Sequence, residues 1–317
     1  MADNARFSRP ARVFLLLALA TWAQIAFGAL VRAKQAGLSC PDWPLCHGAL
    51  VPNLRLTGVV YEYGHRVFVN VLLALYLVGA TLVWRDPLVR LEFRKPVIGL
   101  GILLGVQALF GGLTVLLVNR EAAPRPETWP VVSHLILGNA FAALALVTGL
   151  ALRERAQPEP GPPVAVSARD RVLGRLWTAS LLAQMVLGGL IAGSLQGLAC
   201  AEFPTCNGGE WLPPLQGYVA IQFFHRCNAY VLVTLGWSLA WRLRGGGRLG
   251  QVSSALGWLI LAQVGLGAMN IWSQLKPHVT TAHSLVAALL FSTTAVFAWE
   301  LARRPIGAAA APGGGRD

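Results

Sequence analysis

The chain has 317 residues, of which 55% are hydrophobic and 13% charged, with a net charge of +12. That composition excludes an ordinary soluble domain. The positive charge would suit a nucleic-acid binder, but its distribution along the chain, taken up below, excludes that class as well.

In chain order, apolar and almost charge-free stretches run over Val13–Val31, Val67–Trp84, Pro96–Asn119, Thr128–Leu152, Leu176–Ala201, Trp211–Trp241, Leu249–Leu275 and Pro277–Trp299, with Arg226 the single charge in the sixth. Each supplies the roughly 20 residues a spanning helix needs, so eight spans are expected. Strands of a membrane barrel would alternate over about 10 residues, which these runs do not. No A-x-A site follows the first span, and it lies deep in the chain, so it reads as a span rather than a cleaved leader. The expected fold is an all-α polytopic membrane protein.

Placing the N-terminus inside puts 18 of the 26 basic residues in inside loops and termini. Only Arg32, Lys34, Arg55, Arg120, Arg125 and Lys276 then fall in outer loops. This bias predicts cytoplasmic N- and C-termini. It also assigns the positive charge to topology, and no nucleic-acid partner is expected. Cys40, Cys46, Cys200 and Cys206 then lie on the outer face, where disulfides persist in bacteria. The first pair sits in "AGLSCPDWPLCHGALVP", and a metal site, a redox pair and a structural clip are all open readings of it.

The two sides of a proline-rich segment, "AQPEPGPPVAVSA", repeat one another. At a constant offset of 160, Gln24 falls on Gln184, Gly28 on Gly188, Cys40 on Cys200, Pro44 on Pro204, Cys46 on Cys206, His65 on His225 and Arg66 on Arg226. Gln107 matches Gln263, and His134 matches His283. The reading is two tandem, pseudo-symmetric four-helix bundles in the same orientation. The N-terminal half covers residues 1–155, a cytoplasmic linker 156–172, the C-terminal half 173–302 and a disordered tail 303–317.

Of six histidines, His47 and His278 read as ordinary loop residues. His65, His134, His225 and His283 lie inside spans, where ionisable groups are costly and mark function. Each half offers two imidazoles at one depth on two helices, as a bis-histidine heme site in a four-helix bundle requires. Zinc would want four close ligands. Without C-x-x-C-H, a heme would be held non-covalently. Glu62 precedes His65 by three residues and shares its helix face. Its counterpart is Gln222, so only the N-terminal half has a titratable group there. A carboxylate at that place can move protons or stabilise a developing cation. Its bland reading is a partner for Arg66 or Arg55. Arg66 and Arg226 are candidate partners of heme propionates, or interfacial snorkelling arginines.

The motifs "GLSCPDWPLC", "EYGHR" and "QALFGGLTVL", with the second pair "CAEFPTC" and the four histidines, resemble the heme A synthase family over about residues 11–302. The resemblance implies oxidation of the C8 methyl of heme O to a formyl group by successive hydroxylations. It implies substrate heme at His65 and His134, heme b as cofactor at His225 and His283, and Glu62 as the acidic group of the reactive half. It further implies disulfides Cys40–Cys46 and Cys200–Cys206, a bacterial inner-membrane location, and iron held through all four histidines. Expected partners are heme O, the bilayer, a heme O synthase handing over substrate, and a second copy of the chain. The main alternative is a diheme b-type electron-transfer cytochrome, which needs the histidines but neither Glu62 nor the cysteine loops. A thiol–disulfide enzyme fits poorly, since both pairs are C-x5-C with an internal proline. The outer position, the repeat and the lack of nearby ligands favour a clip. Closing so short a loop stabilises it by roughly 2 kcal/mol in the chain-entropy account. The first loop leads directly to Glu62 and His65, so it is expected to form a lid, with Trp43 as its anchor.

Overall fold

The computed structural model describes residues 2–119, 125–158 and 164–307. Eight long helices account for most of them: α1 (Ala2–Ala33), α2 (Val59–Arg85), α3 (Pro87–Leu116), α4 (Thr128–Ala156), α5 (Ala168–Gly193), α6 (Gly217–Arg242), α7 (Arg248–Trp272) and α8 (Pro277–Ala302). All but α6 are long and apolar enough, by length and composition, to cross a membrane. In its first half α6 carries Gln222, His225, Arg226 and Asn228, which lower its hydropathy.

Local chemistry sets the helix ends. Asp86 is the only residue between α2 and α3. Its carboxylate accepts from the N–H groups of Leu88 and Val89, and Pro87 follows at the first helical position. This is the preferred start of a helix. Ser167 and Asp170 form a reciprocal capping box at the start of α5, satisfying two otherwise orphaned donors. α5 therefore begins inside the segment 156–172 expected to be linker. Of that segment, 159–163 lie outside the described residues.

α2 begins earlier than its charge-free run because Glu62 and Arg66 pair within its first turns, at 2.6 Å. Two charges satisfied this way need not end a helix. The chain is not wholly α-helical. A two-residue ribbon pairs Val118–Asn119 with Arg125–Pro126, and Asn207–Gly209 form one 3-10 turn. Part of the expected disordered tail is ordered, since Val166 and Ile306 form a parallel bridge. Residues 308–317 lie outside the described residues.

Two large apolar cores lie among the described residues, besides a small cluster of Cys40, Cys46 and Val59 under the first loop. One joins Phe14, Leu17, Leu72, Val97, Leu100 and Phe141 from α1–α4. The other joins Trp177, Leu232, Leu239, Leu256, Ile260 and Phe297 from α5–α8. Glycines let the helices approach closely, as is usual within membranes. Gly79 faces the Phe14 ring and Gly236 the Trp177 ring. The cores meet where α1 and α4 pack on α8, and α4 on α5. Trp22 Nε1 donates to Ser292 Oγ at 3.0 Å across that junction, and Arg32 donates to the Ala192 carbonyl. At the helix ends remote from the cysteine loops, Glu154 of α4 pairs with Arg303 at 2.6 Å.

Trp177 is fully buried and donates from Nε1 to Thr294 Oγ1 at 2.9 Å. Trp177→Phe keeps the apolar bulk and strands the threonine hydroxyl, a cost of about 1–3 kcal/mol. The variant is expected to unfold at lower temperature than the parent in detergent, as followed by circular dichroism.

Candidate functional site

The four span histidines lie on four helical hairpins built alike. His65 on α2 faces Gly28 on α1, and His134 on α4 faces Gly111 on α3. His225 on α6 faces Gly188 on α5, and His283 on α8 faces Gly267 on α7. A Cβ at these glycines would sit 2.9, 3.1, 3.1 and 3.5 Å from the respective Cε1. Each ring therefore rests on bare helix backbone. One turn before each glycine stands a glutamine, as a Q-x3-G pattern: Gln24, Gln107, Gln184 and Gln263. Gln24 Nε2 donates to the His65 carbonyl at 2.8 Å and lies 3.4 Å from His65 Nε2. Gln184 does the same to His225, at 3.0 and 3.3 Å. Gln107 Nε2 donates to the His134 carbonyl at 2.9 Å, and His134 Nδ1 lies 3.1 Å from the Gln107 carbonyl. Gln263 Nε2 lies 3.1 Å from His283 Nε2. Phe27 meets the His65 ring edge-to-face at 5.8 Å.

This arrangement can hold a metal by pairs of imidazoles. The Nδ1 atoms of His65, His225 and His283 are buried without a partner. His134 Nδ1 faces a carbonyl, so it carries the proton and leaves Nε2 as the electron-pair donor, a tautomer suited to a ligand. Among the described residues, no group of three or more His, Cys, Asp or Glu side chains gathers around one point. Two nitrogen donors per half fit the axial positions of a heme iron and not a tetrahedral zinc.

Over each histidine pair lies a disulfide loop, with Cys40 joined to Cys46 and Cys200 to Cys206. The loops are built to one plan. Glu62, buried, accepts the Cys40 N–H on Oε2 at 2.7 Å and Arg66 on Oε1 at 2.6 Å. Gln222, equally buried, accepts the Cys200 N–H on Oε1 at 3.1 Å and donates to the Gly197 carbonyl at 2.9 Å. Arg66 also donates to the carbonyls of Asp42 and Leu45, at 2.8 and 2.7 Å. Arg226 donates to those of Thr205 and Cys200, both at 2.8 Å. Both guanidiniums, candidate propionate partners or interfacial arginines by residue type, donate to loop carbonyls, a role that residue type alone did not reveal. Glu62 pairs with Arg66, not with Arg55.

Trp43 lies across α3, with ring atoms 3.1–3.3 Å from where a Cβ of Gly112 would stand. That is one residue from the glycine under His134. The loop that begins beside His65 therefore reaches the second hairpin of the same half. Its counterpart Phe203 meets Trp272 edge-to-face at 5.9 Å.

The glutamines and the loop-clamping role of the arginines were not read as site features from sequence. The fourfold Q-x3-G pattern is a signal for the former, visible once all four helices are aligned.

The family model for the cytochrome oxidase assembly protein COX15-CtaA matches residues 11–59 and 55–295. The chain belongs to that family. Its relatives include the heme A synthase of Halalkalibacterium halodurans, 28% identical over 87% of this chain and 91% of the relative. That of Methylobacterium nodulans is 28% identical over 87% of each chain. That of Symbiobacterium thermophilum is 32% identical over 77% of this chain and 80% of the relative. Family membership accords with a polytopic helical protein whose histidines come in two matched pairs.

Asp42 closes the first loop by accepting the N–H groups of His47 at 2.6 Å and Gly48 at 2.8 Å. The Gly48 and His47 N–H groups hold its carboxyl below the usual carboxylate range. A lowered folded-state pKa means that these bonds contribute above the unfolded value and are lost as pH falls through the folded one. Protection of the His47 and Gly48 amides, relative to unstructured chain at the same pH, should therefore persist below the ordinary carboxylate pKa and be lost only as Asp42 is protonated. In Asp42→Asn it should be lost throughout.

Proposed function

We propose that this protein is a heme A synthase, an oxidoreductase that converts the C8 methyl of heme O to a formyl group. The observation that carries the reading is the Glu62/Gln222 exchange. Two loops of one design, over two histidine pairs of one design, differ at the buried side chain beside the first histidine. Only the N-terminal half has a carboxylate there. We assign substrate heme O to His65 and His134, and a resident heme b to His225 and His283. The resident heme supplies an iron centre able to exchange electrons.

The residues of the chain then have separable tasks. His65 and His134 would hold the substrate iron, one from the α1–α2 hairpin and one from the α3–α4 hairpin. The glycine seats let both rings approach without displacing a helix. The first loop, clamped by Arg66, covers that half and excludes water, with Trp43 as its far anchor. Glu62 stands at the underside of the loop. Its carboxylate can hold a proton or give one up at that end of the half, the task of an acid–base group beside a reacting substrate. Gln222 makes the same loop contact and cannot titrate, as suits a half that holds its heme unchanged.

The basic-residue bias supports cytoplasmic termini and disulfide loops on the outer face of a bacterial inner membrane. A substrate made and used within the bilayer suits lateral entry, with handover from a heme O synthase. A dimer of this chain is compatible with the reading.

Co-expression with a heme O synthase, in a host that makes no heme A, tests the proposal. Heme A should appear in extracted pigment with the intact chain. With Glu62→Gln it should fall by about 10²–10⁴-fold, the usual worth of a positioned acid–base group, while heme b is retained. Heme b alone with the intact chain would mark an electron-transfer cytochrome and end the synthase reading. In the same system Cys40→Ala should lower heme A more than Cys200→Ala, since only the first loop covers reacting substrate.

A further inference from the structure

The two disulfide loops differ at a second titratable position, and both differences end on the same peptide group. His47, exposed, places Nε2 2.9 Å from the Ser39 carbonyl oxygen. A carbonyl can only accept, so Nε2 carries the proton and donates. The N–H of the same peptide, that of Cys40, donates to Glu62 Oε2 at 2.7 Å. An exposed imidazole, one peptide and a buried carboxylate thus form a continuous run of hydrogen bonds.

The second half contains the same run with different ends. Asn207 Nδ2 donates to the Ala199 carbonyl at 2.9 Å, and the Cys200 N–H donates to Gln222 Oε1 at 3.1 Å. His47 and Asn207 correspond at the offset of 160, as do Glu62 and Gln222. The amide-ended run keeps both hydrogen bonds to the peptide and the same disulfide loop. Loop architecture therefore needs neither ionisable side chain. Both ionisable ends occur together, in the half that holds the carboxylate.

We propose that His47 is a positioning residue for the N-terminal site, one that sets the proton affinity of Glu62 from the loop surface through the Ser39–Cys40 peptide. The proposal rests on the reading of Glu62 as the acid–base group. A protonated imidazole donates more strongly to the Ser39 oxygen. That polarises the peptide, strengthens the Cys40 N–H as a donor, and favours Glu62 as carboxylate. A neutral imidazole relaxes this pull, and Glu62 takes up a proton more readily. No proton crosses the peptide, so it remains an amide throughout.

The other charged or titratable groups around the run are Asp42, Tyr63 and Arg66. Asp42 accepts the backbone N–H of His47, and Tyr63 donates to the Leu50 carbonyl. Arg66 pairs with Glu62 and with loop carbonyls.

The second half supplies the control. His47→Asn copies Asn207 and preserves the hydrogen bond, and Asn207→His is its mirror image. In full-length protein supplied with heme O, the pH profile of heme A formation should lose its near-neutral limb in His47→Asn. Heme b content and disulfide formation should be unchanged, and Asn207→His should follow the parent profile. His47→Gln, which also keeps an N–H donor, serves if the asparagine variant folds poorly. A parental profile in the His47 variants overturns the proposal, as does an equal shift in Asn207→His. If Glu62→Gln is fully active, the Glu62 reading itself has failed. If Glu62→Gln is inactive while the His47 variants keep the parental profile, only the His47 coupling has failed.

Discussion

An imidazole buried in an apolar bundle must be given a place to lie and something polar to face. In this molecule a glycine on the neighbouring helix gives each ring its place. A glutamine one turn earlier sets its side-chain amide against three of the rings and its main-chain carbonyl against the fourth, His134. The contact recurs on four hairpins, with ring carbon to ideal Cβ separations between 2.9 and 3.5 Å. A Cβ at Gly28, Gly111 or Gly188 would press on the ring, whereas at Gly267 it would only reach ordinary contact. The backbones can approach because small residues line the seams, and in lipid such close packing is a main source of helix association. The positions of the histidines, and so of any iron they hold, follow from that seat.

The loops depend on the same seat from above. Each disulfide loop joins the two helices of a hairpin and is fastened onto the second of them, just ahead of its histidine. The fastening is done by an arginine next to the histidine and by an acid or amide three residues before it. This explains why Glu62 and Arg66 are tolerated at the start of a spanning helix. Their charges are spent on one another and on backbone groups of the loop. It also makes the one-sided carboxylate informative, since Gln222 meets the same Cys200 N–H that Glu62 meets at Cys40. Architecture is conserved between the halves while chemistry is not.

Much of this was legible before any coordinates. Apolar runs gave the eight helices. The offset of 160 gave the paired loops, the His65–His225 match and the Glu62/Gln222 difference, and a smaller offset gave the His134–His283 match. Family membership, with match positions spanning residues 11–295, agrees with the resemblance carried by the cysteine and histidine motifs. What remained hidden was mostly partner choice. Arg66 and Arg226 read from residue type as candidate propionate partners or interfacial arginines, and their bonds to loop carbonyls are visible only in the structure. The apolar runs begin later than α2 and α5, because a charge paired along the helix, as Glu62 is with Arg66, or capping it and paired across helices, as Asp170 is with Ser167 and Arg242, reads in sequence like one that ends a span. The glutamine contacts join residues 20 to 41 positions apart, and only the hairpin geometry brings them together.

The central claim is that the two halves hold different hemes for different purposes. Pigment analysis of purified histidine variants, made in the presence of heme O, tests it most directly. His65→Ala and His134→Ala should retain heme b and lose heme O and its oxidised products. His225→Ala and His283→Ala should lose heme b first. Loss of heme b from the His65 or His134 variants, with heme O and heme A retained, would contradict the account.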